Sequence, residues 1–125
     1  MKRSDIVKLS GLNVVGVELG VAEGDFSYQV LSEQNIKHWY SIDMWAGDRG
    51  HDSGQMNSAR DKLKPFANKN TIMHNKFSEV VNDFSDEFFD IINIDGYAHN
   101  GEENGETLRD WYPKLKKGGV VRGDE

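Results

Sequence analysis

Apolar positions along the chain alternate between short unbroken runs and helically spaced sets. Residues 12–19 read Leu-Asn-Val-Val-Gly-Val-Glu-Leu, a β-branched run that stops at Gly20, as a buried parallel strand does before a tight turn. After Gly24-Asp25, the residues Phe26, Val30 and Leu31 recur at helical spacing, with Asp25 placed to favour the positive end of the helix dipole. Residues 38–43 form a second aromatic and β-branched run ending on Asp43, followed by Met44, Trp45 and a Gly- and Asp-rich loop through Gly54. Met56, Ala59, Leu63, Phe66 and Ala67 share one helical face, with Pro65 set to kink or shorten its end. A short strand is predicted over 71–74, a short helix over 77–84, and the most apolar strand over 88–94, running into Asp95-Gly96. Leu108, Trp111, Tyr112 and Leu115 predict a last helix ending in Lys114, Lys116 and Lys117 before Gly118-Gly119, and Val120-Val121 begins a last strand.

Strands alternating with helices at these lengths predict an α/β fold: a doubly wound, mostly parallel, Rossmann-like sheet of about five strands with flanking helices. With neither repeat nor linker, residues 1–125 are expected to form a single domain. Ligands of such sheets lie beyond the carboxyl ends of the strands. Those ends carry Glu18-Leu19-Gly20, Asp43, residues 75–78, Asp95-Gly96 and Gly123-Asp124-Glu125, so each strand delivers a polar or acidic group to one edge.

Charge narrows the partners. Fifteen Lys and Arg against 21 Asp and Glu give a net charge of −6, a field that repels phosphate backbones, so no nucleic acid is expected as partner. The absence of cysteine removes disulfides, thiolate nucleophiles and Cys-ligated zinc, and the expected compartment is cytoplasmic. No window reaches the roughly 18 consecutive apolar residues of a membrane span.

At the carboxyl edge, Gly20 and Gly24 allow a sharp turn and close approach to a ligand at a helix N-terminus. The Gly-x-Gly-x-x-Gly dinucleotide fingerprint is not met, because Ala22 takes the middle position and Glu18 adds negative charge. Asp43 follows Glu18 by 25 positions, near the offset of about 20 at which an acidic residue meets ribose hydroxyls. His99 lies in the loop after the fourth predicted strand, and histidine is the residue type suited to act as general base for a hydroxyl near neutral pH. His38, His51 and His74 lack the paired spacing of a zinc site and are read as structural or exposed.

The segments Gly16-Val-Glu-Leu-Gly-Val-Ala-Glu-Gly-Asp-Phe-Ser27, Tyr40-Ser-Ile-Asp43 and Phe89-Asp-Ile-Ile-Asn-Ile-Asp-Gly96 resemble those of class I S-adenosylmethionine-dependent methyltransferases. Asp95-Gly-Tyr-Ala-His99, Trp111-Tyr-Pro-Lys-Leu-Lys-Lys-Gly-Gly119 and the final Gly-Asp-Glu are similar to the small-molecule O-methyltransferase branch. The resemblance implies that Glu18, Leu19, Gly20 and Gly24 hold the methionine end of the cofactor, and Asp43 the ribose. It assigns the adenine to Ser78 with its neighbour Phe77, and to Met44 or Trp45 as an apolar wall. The resemblance also implies that Asp95 borders the cofactor and joins His99 as the catalytic pair. Asp95, Asp124 and Glu125 are similar to the oxygen-ligand set that binds Mg2+ in catechol-type relatives.

The function so implied is methyl transfer from S-adenosylmethionine to oxygen on a small-molecule acceptor. A lyase-type cleavage of the same cofactor and a non-catalytic cofactor-binding module working in an assembly are the alternatives. The family sheet normally has seven strands where five are expected here, and an open apolar edge predicts a homo-oligomer. The physical fit is independent of the name: an ammonium and a sulfonium without phosphate suit an acidic rim.

Overall fold

The computed structural model describes residues 13–45, 52–94 and 105–123. Among them lie five parallel strands in one sheet: β1 (Val14–Leu19), β2 (Ile36–Asp43), β3 (Asn70–His74), β4 (Phe89–Ile94) and β5 (Leu115–Gly123), in the order β3-β2-β1-β4-β5. Helix α1 (Asp25–Glu33) joins β1 to β2, α2 (Ser53–Leu63) precedes β3, α3 (Phe77–Val80) follows it, and α4 (Glu106–Trp111) precedes β5. The chain winds outward from β1 to β3, then returns to the other side of β1 with β4. The reversal falls between β1 and β4, the crevice where such sheets take ligands.

The two faces bury separate cores. Val17, Leu19, Ile42, Ile92 and Ile94 pack with Phe84 and Trp111 on one face. Phe26, Val30 and Leu31 of α1 pack with Trp39, Leu63 and Ile91 on the other. Gly16 makes the second face possible: a Cβ there would stand 2.3 Å from Cζ3 of Trp39, whose ring is fully buried.

Several boundaries differ from those predicted, among them the following three. The strand expected over 38–43 begins at Ile36, which pairs with Val14. The helix expected over 77–84 stops at Val80 and tightens into a 3-10 turn over Val81–Asp83, with Phe84 extended. The last helix does not reach Lys117. It ends at Trp111, a 3-10 turn covers Tyr112–Lys114, and Leu115 already pairs with Phe89. Pro113 is the cause, because it has no N–H for a helical bond and its ring clashes with the preceding turn. Pro65 likewise sits in a 3-10 turn ending α2, as its position predicts.

β5 is irregular where the lysines lie. Between the pairs Phe89–Leu115 and Ile91–Val120, two steps along β4 face five along β5. The extra residues bulge out through Gly118, at φ +79. Gly119 is needed there, since a Cβ would meet the Asp90 carbonyl oxygen at 2.8 Å. Asp90 fastens both neighbours: Val15 N–H donates to Oδ2 at 2.9 Å, and Lys116 Nζ lies 3.3 Å from Oδ1. A bulge with lysines blunts a sheet edge, which works against the edge-to-edge pairing expected from an open apolar strand. No helix among the described residues is long and apolar enough to cross a membrane.

Gly16→Ala is expected to lose about 1–3 kcal/mol of stability through overpacking against Trp39. Urea unfolding followed by tryptophan fluorescence measures this, and a wild-type midpoint would contradict the packing account.

Candidate functional site

The site forms where β1 ends. Gly20, at φ +98, turns the chain off the strand, and Ala22 follows in the left-handed region at φ +54. Gly24, at φ +88, caps α1, and a Cβ there would stand 3.2 Å from the Cα of Ala59 on α2. The turn is thus pressed between its own helix and α2, and only glycine fits its last position without strain.

Asp43 holds this turn in place. Its Oδ2 accepts from Val21 N–H at 2.8 Å and Ala22 N–H at 2.9 Å, and its Oδ1 accepts from Trp45 N–H at 3.0 Å. Trp45, itself at φ +43, returns the tie by donating Nε1–H to the Ala22 carbonyl at 2.8 Å. One buried carboxylate therefore joins the end of β2 to the β1–α1 turn and holds two left-handed non-glycine residues.

Below the turn lies a buried polar layer. Ser27 Oγ donates to Glu18 Oε1 at 2.6 Å and accepts Trp39 Nε1–H at 2.9 Å. With its single proton committed to Glu18, Ser27 must accept from Ser41 Oγ, 2.8 Å away. Ser41 in turn accepts from Asn70 Nδ2 at 3.0 Å. Each hydroxyl is satisfied, and the network fixes the Glu18 carboxylate, which is 2% exposed, beneath the helix start.

Above Glu18 opens a recess of about 200 Å³, walled by Val21, Ala22 and Phe26 and rimmed by Glu23 and Asp25. Gln55 of α2 closes its side, with a buried Oε1 that has no hydrogen-bond partner. Three carboxylates face this space, and one of them, Asp25, is ion-paired with Lys62. An acidic recess lined by an unpaired acceptor suits a cationic donor.

The predicted residues are distributed as follows. Glu18, Gly20, Gly24 and Asp43 surround or support the recess. Leu19 points into the opposite core with Val17 and Ile94, so its side chain does not face the recess. Trp45 is 3% exposed and packs with Val21 and Ala59, making it part of the core, whereas Met44 beside it is half-buried. Phe77 is half-buried against the core and Ser78 is exposed, just after the β3 end that Asn75 N–H ties to the Asp43 carbonyl at 3.1 Å. Asp95, His99, Asp124 and Glu125 lie outside the described residues. Among the described residues no group of three or more His, Cys, Asp or Glu is placed to hold a metal ion.

Two of the remaining histidines sit on strands. His38 Nε2 lies 2.7 Å from Thr71 Oγ1, and burial pushes its pKa down. The ring of His74 stands edge-on to Trp45. Sequence reasoning missed Ser27, Ser41, Asn70 and Gln55, which come from four elements and share no spacing. It also passed over Asn93, whose polarity inside an apolar run was a usable signal.

A methyltransferase-domain family model matches residues 17–125. No curated protein sequence matches the chain. Among solved structures, a candidate caffeoyl-CoA O-methyltransferase from Staphylococcus aureus is 22% identical, with a TM-score of 0.75 over 97% of this chain and 54% of its own. A candidate S-adenosyl-L-methionine-dependent methyltransferase from Methanococcus maripaludis is 16% identical, TM-score 0.70, over 95% of this chain and 52% of its own. A Geobacter sulfurreducens S-adenosylmethionine-dependent methyltransferase in complex with S-adenosyl-L-homocysteine is 16% identical, TM-score 0.65, over 97% and 47%. The chain thus spans about half the length of these structures, and at such identities they share its fold.

Asp43→Ala is expected to lower stability by about 2–4 kcal/mol, since it strands three amides and releases two strained residues. Asp43→Asn, keeping one acceptor oxygen, should lose less. Urea midpoints falling in the order wild type, Asn, Ala check this grading, and three equal midpoints would contradict it.

Proposed function

Because the chain belongs to the methyltransferase-domain family, we propose that it binds S-adenosylmethionine in the crevice between β1 and β4 and serves methyl transfer to oxygen on a small-molecule acceptor. The observation that carries this reading is the acidic recess at the carboxyl end of β1, where Glu18, Glu23 and Gln55 offer acceptors and Asp25 adds charge. A dinucleotide would bring phosphates into that field; this cofactor brings an ammonium and a sulfonium.

In the proposed arrangement the recess takes the methionine ammonium, with Glu18 held in position by Ser27. The turn from Gly20 to Gly24 brings backbone close to the ligand, as a helix start permits. Asp43 accepts the ribose hydroxyls in addition to the amides it already ties, while Met44 lies against the adenine with Phe77 and Ser78 on its far side. When bound, the cofactor supplies an electrophilic methyl group on its sulfonium. The chain's own part is alignment of that group with the acceptor oxygen. His99 is the base that takes the acceptor proton, with Asp95 as the other member of the catalytic pair.

Calorimetric titration with S-adenosylhomocysteine tests the reading. Micromolar binding that weakens at least about tenfold in Glu18→Gln, with the fold intact by circular dichroism, is the expected result. A folded wild-type chain that binds nothing would overturn it. For the base, His99→Asn should lower turnover with little change in cofactor affinity, and equal turnover would remove His99 from its role.

A further inference from the structure

Among the described residues the sheet has two free edges, and they are built differently. β5 carries Lys116, Lys117 and Arg122 and bulges out through Gly118, which blunts it. β3, at the other end, reads Asn-Thr-Ile-Met-His, without a lysine, proline, glycine or bulge and with no residue at positive φ. Trp39 N–H donates to the Lys69 carbonyl at 2.9 Å, and Asn75 N–H to the Asp43 carbonyl at 3.1 Å. These two bonds fix the alternation along the strand. The peptide groups of Thr71 and Met73 turn toward β2, and those of Asn70, Ile72 and His74 turn outward. No described residue bonds to the outward groups.

A second copy of the chain, antiparallel and related by a two-fold axis at Ile72, fits this edge. Ile72 then faces the partner's Ile72 as a hydrogen-bonded pair, Asn70 faces the partner's His74, and every outward N–H and C=O of both strands is bonded. Centring the axis on Thr71 instead would carry His74 past the end of the partner strand. Charge agrees with the pairing: the flanking Lys69 and Lys76 fall opposite the partner's Asn75 and the partner's Asn68, so no lysine meets another. The same operation on β5, centred on its middle residue Gly119, would set Lys116 against Arg122. Apolar surface agrees as well. Ile72 and Met56 are half-buried against Val21, Trp45 and Ala59 on the α2 face, and Met73 is half-buried on the other face. Pairing lays Ile72 against its own copy across the axis and Met73 beside the partner's Thr71, which covers both.

We propose that the chain associates with a second copy of itself through β3, antiparallel about Ile72, so that the two sheets become one. The homo-oligomer expected from the sequence thus forms at the edge without lysines and not at β5. The inference is independent of the cofactor reading: the strands of the two copies run in opposite directions, so their carboxyl edges and recesses open at opposite ends of the joined sheet. A single short ladder lies at the low end of interface sizes, which makes the association reversible and dependent on concentration.

Sedimentation velocity of the full chain between about 1 and 100 μM tests the proposal, with twice the mass of one chain expected at the upper end. Ile72→Lys sets two ammonium groups at the axis, and His74→Pro removes one outward N–H and no bond to β2. Each should weaken the association at least about tenfold with the fold intact by circular dichroism. Amide hydrogen exchange in the wild-type chain gives a readout that requires no variant to fold: exchange at Ile72 and His74 should be at least about tenfold slower in the associated form than in the monomer. A wild-type chain that is monomeric throughout, folded variants that associate as wild type does, or an associated chain whose Ile72 and His74 amides exchange as freely as in the monomer would overturn the inference.

Discussion

The β1–α1 turn exists in its observed shape because the Asp43 carboxylate holds it. A chain leaving a buried strand through Gly20 has many paths open to it, and two of its residues, Ala22 and Trp45, adopt a left-handed backbone that costs about 1 kcal/mol or more each outside glycine. The amide hydrogens of Val21, Ala22 and Trp45 converge on one buried carboxylate, and the Trp45 indole closes the ring onto Ala22. That closure fixes the walls of the recess above Glu18. It also joins the end of β2 to the end of β1 at the carboxyl edge of the sheet, so the strand ends and the recess depend on the same group.

Beneath this turn the sheet trades packing for polarity. Gly16 leaves room for Trp39, Trp39 donates to Ser27, and Ser27 orients Glu18. Each step follows from the one before: without the glycine the indole does not fit, and without the indole the hydroxyl loses one of its two donors. The same row crosses to β4 and β5 without this helix-borne support, at Asn93 and Arg122. A protein selected for stability alone would carry aliphatic side chains at such positions.

Much of this was legible in the amino-acid order. Unbroken apolar runs located β1, β2 and β4, because parallel strands are buried on both faces, and strand-end polarity pointed to Glu18, Gly20, Gly24 and Asp43. Spacing alone misjudged the last helix: Leu115 falls on the helical stripe of Leu108 and Trp111, but Pro113 stops the helix and turns Leu115 into the first residue of β5. The Ser27–Ser41–Asn70 network was invisible, since three small polar residues from a helix and two strands meet only once the sheet is assembled. The lone polar Asn93 inside an apolar strand was a visible sign of the buried polar row. Trp45, an expected wall for a ligand, is instead committed to holding the turn.

The most direct test of the central role of Asp43 is amide hydrogen exchange in the ligand-free wild-type chain, resolved at Val21 and Ala22. Buried hydrogen bonds to a carboxylate predict protection at these turn amides approaching that of the adjoining strand amides of β1 and β2. Exchange at the rate of an open loop would contradict the account, because the turn would then be formed without the carboxylate that is held to shape it.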